Sequence, residues 1–318
     1  MPSVLITGGH KGLGLHATTA IARRGGVDIV LGGRSNAEVS AVAQELGATY
    51  GVTVRALALD VCSLASVAAA AKAVQELVRD GAIAPLQALL LNAGAQFMGP
   101  IQYSPEGYEK TFATNCLGHF MLVNRLLDDI QPEGRIVFTA SGTHDPATMD
   151  GKMVGRAALP DAMRLANEGK AGKPLSPGQR YSTSKLCTIM YAYELDRRLR
   201  ARGSSILSIA FDPGLIVETN LARTAPPLMQ WAARTGFAKW LVKRMGVTMG
   251  SLTFSGEVLA RLAIDPEFAD ASAKYIQSCN GQWVEQRSSA MSYDSTLARK
   301  LWTDSEALVG LPSTVQET

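Results

Sequence analysis

Short apolar runs alternate with longer helical patterns along most of the 318-residue chain. Each run is compact and shows little polar alternation, as expected for strands buried on both faces of a parallel sheet. Between the runs, stretches such as 64–80 and 106–130 carry apolar residues at three- and four-residue spacing, which predicts amphipathic helices. The predicted strands are residues 3–6, 27–31, 52–59, 86–91, 135–138 and 205–211. This alternation predicts an α/β fold with a doubly wound parallel sheet.

Two segments interrupt the alternation. Residues 142–180 hold several prolines and three methionines without a clear strand, and residues 225–246 carry tryptophan and phenylalanine at helical spacing. We interpret both as excursions from one domain that covers residues 1–318. Residues 312–318 are predicted to form a flexible tail.

The composition narrows the classes of protein to which the chain can belong. Hydrophobic residues make up 47% and charged residues 19%, as in ordinary globular proteins. A net charge of +3 is too small to indicate a nucleic-acid surface. We find neither a membrane-spanning run nor a signal peptide. Four scattered cysteines (Cys62, Cys116, Cys187 and Cys279) and four histidines predict reduced thiols in a cytoplasmic protein, with no metal site.

A glycine-rich loop follows the first predicted strand and precedes a helix. Its residues are Thr7, Gly8, Gly9, His10, Lys11, Gly12, Leu13 and Gly14. Glycines at this position permit a tight turn and let the backbone approach a pyrophosphate at the helix N-terminus. The loop therefore predicts a dinucleotide site in a Rossmann-type fold.

The end of the second predicted strand indicates which dinucleotide binds. It reads Gly32-Gly33-Arg34-Ser35-Asn36, with no acidic residue to hold a ribose 2′-hydroxyl. A guanidinium can bond a phosphate through two parallel N–H groups, so Arg34 suits a 2′-phosphate. Lys11 could add a second positive charge. We therefore predict NADPH as the cofactor, the alternative being two solvated surface cations.

Tyr181 and Lys185 lie four residues apart in a predicted helix and so share one face. A nearby ammonium would lower the pKa of the phenol and make it useful as an acid or base. Ser141 stands at the end of a predicted strand, on the edge where ligands bind in such sheets. Its hydroxyl could hydrogen-bond a substrate oxygen as charge develops there.

These motifs, in this order, resemble those of the short-chain dehydrogenases/reductases over nearly the whole chain. The resemblance implies a catalytic tetrad of Asn115, Ser141, Tyr181 and Lys185, in which Asn115 anchors a proton-relay water. It also implies a set of cofactor contacts beyond the glycine loop. They are Asp60 and Val61 for the adenine, Asn92, Ala93 and Gly94 in the strand-four motif, Tyr181 and Lys185, and Pro213, Gly214 and Thr219 for the nicotinamide carboxamide.

Residues 117–120 and the C-terminal stretch 298–311 resemble the branch that holds retinol dehydrogenases and protochlorophyllide oxidoreductase. The long spacing between Ser141 and Tyr181 is also similar to the latter enzymes. Protochlorophyllide oxidoreductases are light-dependent enzymes (photoenzymes) that typically carry a cysteine after the Pro-Gly pair. This chain has Leu215 after Pro213-Gly214 instead. We therefore favour a light-independent reductase and keep the photoenzyme as an alternative.

The two excursions would flank the substrate. We predict that residues 225–246 form a lid whose apolar side chains, Leu228 and Trp231 among them, enclose a large lipophilic molecule. A helix on a membrane surface and a contact in a homo-oligomer are less favoured alternatives. In the insert, His144 and Met149 are candidate substrate contacts, although a lone exposed histidine or core methionines would also fit.

The predicted function is reversible, NADPH-dependent reduction of a lipophilic carbonyl, with Tyr181 supplying the proton. The alternatives are the light-dependent reductase and an NADP-binding sensor without turnover.

Overall fold

The computed structural model describes residues 1–216 and 248–312, which form one eight-stranded mixed sheet. The strands are β1 (Ser3–Thr7), β2 (Asp28–Gly33), β3 (Val54–Ala58), β4 (Leu86–Leu91), β5 (Ile130–Thr139), β6 (Leu207–Asp212), β7 (Tyr275–Cys279) and β8 (Gln282–Gln286). Their order is β3-β2-β1-β4-β5-β6-β7-β8, and every pair is parallel except β7 with β8. The predicted doubly wound parallel sheet is confirmed, with one antiparallel strand added at its edge.

Helices cover both faces of this sheet. They are α1 (Gly12–Arg24), α2 (Asn36–Tyr50), α3 (Leu64–Arg79), α4 (Lys110–Phe112), α5 (Gly118–Leu126), α6 (Met149–Val154), α7 (Ala162–Ala166), α8 (Pro177–Ala201), α9 (Leu252–Ile264) and α10 (Ser295–Leu308). One apolar core lies between the sheet and α1, α2 and α9, and the other between the sheet and α3, α5, α8 and α10. The sheet is therefore buried on both faces, which explains its unbroken apolar runs.

The order of the strands reverses between β1 and β4. From these two neighbouring strands the sheet extends in opposite directions, to β2 and β3 on one side and to β5 and the later strands on the other. Ligands of such sheets bind outside the carboxyl ends of the strands at this switch point. The loops that follow β1, β2, β3, β4, β5 and β6 all reach this edge of the sheet. The fold therefore gathers the predicted motifs at one edge.

Strands β7 and β8 were not predicted. Gln277 and Ser278 interrupt the apolar character of β7, and β8 is polar at both ends. The turn between them, Asn280-Gly281, has positive φ at both residues, 51° and 83°. Asn-Gly is the residue pair that two-residue hairpin turns of this type favour. That dipeptide was the sequence signal for the hairpin.

The insert 142–180 contains no strand, as predicted, and consists of a 3₁₀ turn (Gly142–His144), α6, α7 and the start of α8. The predicted lid, with Leu228 and Trp231, lies outside the described residues, as do Thr219 and residues 313–318 of the predicted tail. Within residues 1–216 and 248–312, no helix has the length and apolarity needed to cross a bilayer.

Candidate active site

The glycine loop is shaped by close backbone contacts at the end of β1. A Cβ on Gly9 would come within 2.7 Å of Ile6 and Thr18 side-chain atoms, and one on Gly14 would overlap the carbonyl oxygen of Gly8. Gly12, by contrast, adopts a φ of +53° and faces open space. The loop therefore needs glycine both for its packing and for its turn, and α1 begins directly behind it.

Asn92 and Thr7 hold this loop against the end of β4. The Thr7 hydroxyl oxygen accepts hydrogen bonds from the Asn92 and Ala93 backbone N–H groups, at 3.0 and 2.9 Å. The Asn92 amide donates to the Thr7 carbonyl at 2.9 Å. Gly94 follows, and a Cβ there would lie 3.5 Å from the Lys185 Nζ. The strand-four motif thus joins the glycine loop to the catalytic helix.

The Thr7 hydroxyl also lies 3.0 Å from Nε2 of His119, a buried residue that the sequence analysis missed. The same hydroxyl also donates to the Leu90 carbonyl at 3.4 Å, so the donor in the shorter contact with Nε2 depends on the tautomer of the ring. The other ring nitrogen bonds the backbone of Asn115. Burial lowers the pKa of His119 to about 3, with Lys185 adding to the effect, so the ring is neutral. The neutral His119 ring therefore connects the end of β1 to the backbone of Asn115.

Arg34 and Lys11 occupy different electrostatic settings at the end of β2. The Arg34 side chain is exposed and has no hydrogen bond or ion pair with the residues that the structure describes. Lys11, in contrast, pairs with Glu38 of α2 at 2.7 Å. This exposed ion pair is weak, so the prediction that Lys11 adds a second positive charge beside a cofactor phosphate stays a prediction. Nearby, Asp60 accepts a hydrogen bond from the Cys62 N–H, and Val61 is buried at the end of β3.

The N-terminal part of α8 carries Tyr181 and Lys185. Ser176 and Gln179 cap this helix reciprocally, each side chain accepting from the other's backbone N–H at 3.2 Å, and Pro177 opens it. The Lys185 Nζ lies 5.7 Å from the centre of the Tyr181 ring and donates to the Thr139 carbonyl at 2.8 Å. The helix is therefore fixed against the end of β5.

Ser141 lies two residues beyond β5 and interacts with the Tyr181 hydroxyl. Burial raises the pKa of Tyr181 well above its usual range, Ser141 partly opposes this, and the Asp212 carboxylate adds to it. Burial also lowers the pKa of Lys185 to about 8. The expected lowering of the phenol pKa by Lys185 is therefore wrong for the protein by itself, since burial dominates. Tyr181 is a protonated acid.

Asn115 lies in a π-helical turn, Ala113–Leu117, between α4 and α5. Its side-chain oxygen accepts from the Ala95 N–H at 2.9 Å, and its amide donates to the Ala95 carbonyl and to the Ser184 hydroxyl. A Cβ on Gly94 would lie within 3.5 Å of both Asn115 and Lys185. The structure thus brings Asn115, Ser141, Tyr181 and Lys185 together. The relay water remains a prediction.

Comparisons with known proteins follow the same motifs. The short chain dehydrogenase family matches residues 2–149. A short-chain dehydrogenase of Brassica napus, TIC 32 A, is 31% identical over 96% of this chain and 88% of its own length. A chloroplastic protochlorophyllide reductase of Chlamydomonas reinhardtii is 32% identical over 97% of this chain and 78% of its own. The chain belongs to the short-chain dehydrogenase/reductase superfamily.

Solved structures agree with this placement. A protein of Mycobacterium paratuberculosis aligns over 99% of this chain and 96% of its own with a TM-score of 0.68 and 26% identity. A blue fluorescent protein from a metagenomic library, solved with NADPH, covers 88% of this chain and 97% of its own with a TM-score of 0.62 at 23% identity, which shows the shared fold. This short-chain dehydrogenase/reductase is thus an NAD(P)-dependent oxidoreductase of the protochlorophyllide reductase-like branch.

The residues of this oxidoreductase fit a bound dinucleotide. The glycines of the loop leave a cradle that a Cβ would fill, and the exposed Arg34 stands where an adenosine phosphate would lie. Gly214, at a φ of +72°, packs against the backbone of Ser278 and Gly250 beside Pro213. The described residues contain no group of three or more metal-ligating side chains.

On the substrate side of this oxidoreductase, the surroundings of His144 differ from those predicted from the sequence. The residue is buried, not exposed, and both ring nitrogens have protein partners. Nε2 accepts from the Ser289 N–H at 3.0 Å, so Nδ1 carries the proton and donates to the Ser141 carbonyl at 2.8 Å. His144 therefore supports Ser141 and is not free to bind substrate. Met149 begins α6 and is partly buried.

Three further features of the candidate site were not predicted. Arg180, next to Tyr181, forms a buried ion pair with Glu109 at 3.2 Å. Asp212 is buried at the end of β6, and Asp150 lies on the insert nearby. The sequence gives only an indirect signal for them, namely charged residues beside the catalytic motifs.

Proposed function

We propose that this chain reversibly reduces the carbonyl of a fairly large lipophilic molecule in the cytoplasm, with NADPH as its cofactor. The observation that carries the proposal is the buried, protonated Tyr181 hydroxyl beside the Ser141 hydroxyl, with Lys185 directly behind. A proton donor and a hydrogen-bond donor at one point are what a carbonyl oxygen needs as it becomes an alkoxide.

The bound cofactor would supply the hydride that the carbonyl carbon receives. Tyr181 would give its proton to the carbonyl oxygen, and the Ser141 hydroxyl would orient that oxygen and stabilise its charge. Lys185 places a positive charge beside Tyr181 and so favours the phenolate left after proton transfer. In the alcohol-oxidising direction the same phenolate would take the proton back.

The preference for NADPH is supported by the exposed Arg34 and by the absence of an acidic residue at the end of β2. A lipophilic substrate is supported by Met98, Met153, Leu159, Met163 and Leu215, whose side chains are 41% to 54% exposed. All five lie in the segments that follow β4, β5 and β6, on the edge that holds Tyr181. Apolar groups exposed near one edge favour an apolar ligand.

The test is NADPH oxidation at 340 nm with a panel of lipophilic aldehydes and ketones. Tyr181→Phe should retain NADPH binding by fluorescence titration and lose nearly all turnover. Tyr191→Phe is the matched control, because Tyr191 is a buried tyrosine of the same helix whose hydroxyl bonds Ser305 instead. A Tyr181→Phe rate within a few-fold of wild type would contradict the mechanism, and silence with the whole panel would favour a sensor.

A light-dependent protochlorophyllide reduction is the second candidate, favoured by the 32% identity to the Chlamydomonas reinhardtii enzyme. Leu215 after Pro213-Gly214 argues against it. Illumination of the protein with NADPH and protochlorophyllide, followed by red absorption of the product, decides between the two candidates.

A further inference from the structure

Two carboxyl groups lie on either side of Gly142, the residue that follows Ser141. A Cβ on Gly142 would stand 3.1 Å from Oδ2 of Asp150 and 3.2 Å from Oδ2 of Asp212. The missing side chain therefore leaves the space that both carboxyls occupy. Asp150 comes from α6 of the insert, and Asp212 ends β6.

Asp212 is fully buried and fixed by three neutral donors. The Tyr275 hydroxyl and the Gln277 amide each donate to Oδ2 at 2.7 Å, and the Gly214 N–H donates to Oδ1 at 2.9 Å. All three hydrogen bonds are donated to the carboxyl oxygens, which leaves Asp212 as the acceptor in each of them. Its charge also raises the pKa of Tyr181 and opposes the fall in the pKa of Lys185.

Asp150 connects the insert to the segment that contains Pro213 and Gly214. It accepts hydrogen bonds from the backbone and the hydroxyl of Thr248. The Thr248 carbonyl in turn accepts from the Leu215 N–H at 2.7 Å. The two carboxyls thus stand between the catalytic serine on one side and the predicted nicotinamide segment on the other.

We propose that Asp150, carrying a proton beside the Asp212 carboxylate, acts with it as a pair of positioning residues, which keep α6 on the ends of β5 and β6 and so fix Ser141 and the Pro213-Gly214 segment. Asp212 keeps the negative charge, and Asp150 keeps the proton. Ionisation of Asp150 places two like charges across Gly142 and weakens the contact of α6 with the sheet.

The groups around the pair favour this distribution of charge. Burial and the Asp212 charge raise the pKa of Asp150 to about 6. His144 is neutral, because Nε2 accepts the Ser289 N–H, and Tyr275 keeps its phenolic proton because burial raises its pKa. Asp145, beyond His144, adds negative charge. Lys185 is the one cation among the groups that interact with Asp212, and it belongs to the catalytic pair.

The direction of the pH effect follows from the raised pKa of Asp150. Unfolded chains ionise an aspartate near pH 4, so the folded state loses stability as the pH rises from about 4 through about 6. Asp150→Asn cannot ionise, yet it still offers an oxygen to Thr248 and an N–H to Asp212. The folded state of Asp150→Asn should therefore not lose stability through this group as the pH rises from about 4 to about 6.

The experiment compares wild type, Asp150→Asn and the exposed control Asp270→Asn from pH 4.5 to 8. The Tm of Asp150→Asn minus that of wild type should grow by about 2–4 °C between pH 4.5 and about pH 6 and level off above it, and the same difference for Asp270→Asn should stay flat. The ratio of kcat/KM between Asp150→Asn and wild type should rise a few-fold over the same range. A pH-independent Tm difference for Asp150→Asn would overturn the proposal.

The kinetic part rests on the proposed function, whereas the Tm measurement does not. If no carbonyl is reduced, the Tm step still decides whether the carboxyls pair. A Tm step without any change in the kcat/KM ratio would overturn the positioning role.

Discussion

The Tyr181 hydroxyl is an acid because of where it lies. Its ring is buried in the N-terminal part of α8, and the charged form is disfavoured by that burial and by Asp212. Lys185 has a pKa of about 8 and therefore loses its charge more readily than an ordinary lysine. Burial thus keeps the phenol protonated but weakens it as an acid, so release of its proton to a carbonyl oxygen depends on the positive charge of Lys185.

At the residue scale, Arg34→Ala should raise the KM for NADPH about 10- to 100-fold and leave the KM for NADH almost unchanged. The reason is the loss of charge-assisted hydrogen bonds to a 2′-phosphate, each pair of which contributes about 1.5–3 kcal/mol. Steady-state kinetics with both cofactors measure this.

Lys11→Ala is the matched control for Arg34, because Lys11 is already paired with Glu38. Its effect on the KM for NADPH should be smaller. Equal effects of Arg34→Ala on the two cofactors would show that Arg34 does not select the phosphate.

Residue roles could be predicted from the sequence where one local motif contains them. Tyr181 and Lys185 lie one helical turn apart, and Ser141 ends a strand, so their spacing alone indicates a shared edge. The role of His144 could not be predicted, because its partner Ser289 lies 145 residues away. The pairing of Lys11 with Glu38 depends likewise on how α2 turns back towards the glycine loop.

At the scale of elements, α5 packs more closely on the loop after β3 than its sequence suggests. A Cβ on Gly118 would overlap the carbonyl group of Val61, which is backbone and cannot rotate away. This contact links the helix behind Asn115 to the predicted adenine site. The glycine is therefore required by a close approach of two elements.

Gly118→Ala should lower the free energy of unfolding by about 1–3 kcal/mol or more, because the added methyl must displace the backbone of Val61. Urea denaturation measures the loss, and the affinity for NADPH should fall with it. Gly47→Ala in α2 is the control, since its Cβ would lie 3.2 Å from the Val52 carbonyl oxygen and alanine favours a helix by about 1 kcal/mol. A Gly118→Ala protein as stable as Gly47→Ala would contradict this packing.

Strands β1, β2, β4, β5 and β6 could be predicted because the apolar runs recognised in them are buried on both faces, whereas β3 is an edge strand in which only Leu57 is buried. The hairpin of β7 and β8 was missed because β8 is an edge strand with one neighbour, and its exposed polar residues hide the pattern. The insert gave no strand signal and formed none. Its short helices depend on contacts distant in sequence, such as the hydrogen bond that the Glu109 N–H donates to the Ala166 carbonyl of α7 at 2.9 Å, which sequence periodicity does not report.

At the scale of the whole molecule, stability depends on buried histidines that must stay neutral. His119 has a pKa of about 3 in the fold, and burial lowers the pKa of His144 also. An unfolded chain protonates these rings below about pH 6.5, so the unfolded state binds more protons. The folded state therefore loses stability as the pH falls below that value.

His119→Gln should flatten this dependence by about 2 kcal/mol between pH 7 and pH 5, since one buried group that titrates only in the unfolded state contributes about 1.4 kcal/mol per pH unit. Glutamine keeps a polar atom near Thr7. Urea denaturation at pH 5, 6, 7 and 8 measures the slope, and the variant at pH 8 gives the baseline cost of the substitution. An unchanged slope would mean that His119 is not held neutral.

The bridge between Leu215 and Met249 has a further consequence for the molecule. Leu215 and Met249 pair directly with each other beyond the end of β6. This pairing does not depend on the number of residues that separate them along the chain. Insertions, deletions or an exchanged stretch of foreign sequence can be accepted there while the proton donor and the nucleotide cradle stay in place. Exchange of that stretch therefore tests the proposed substrate role of the predicted lid without altering Tyr181 or the glycine loop.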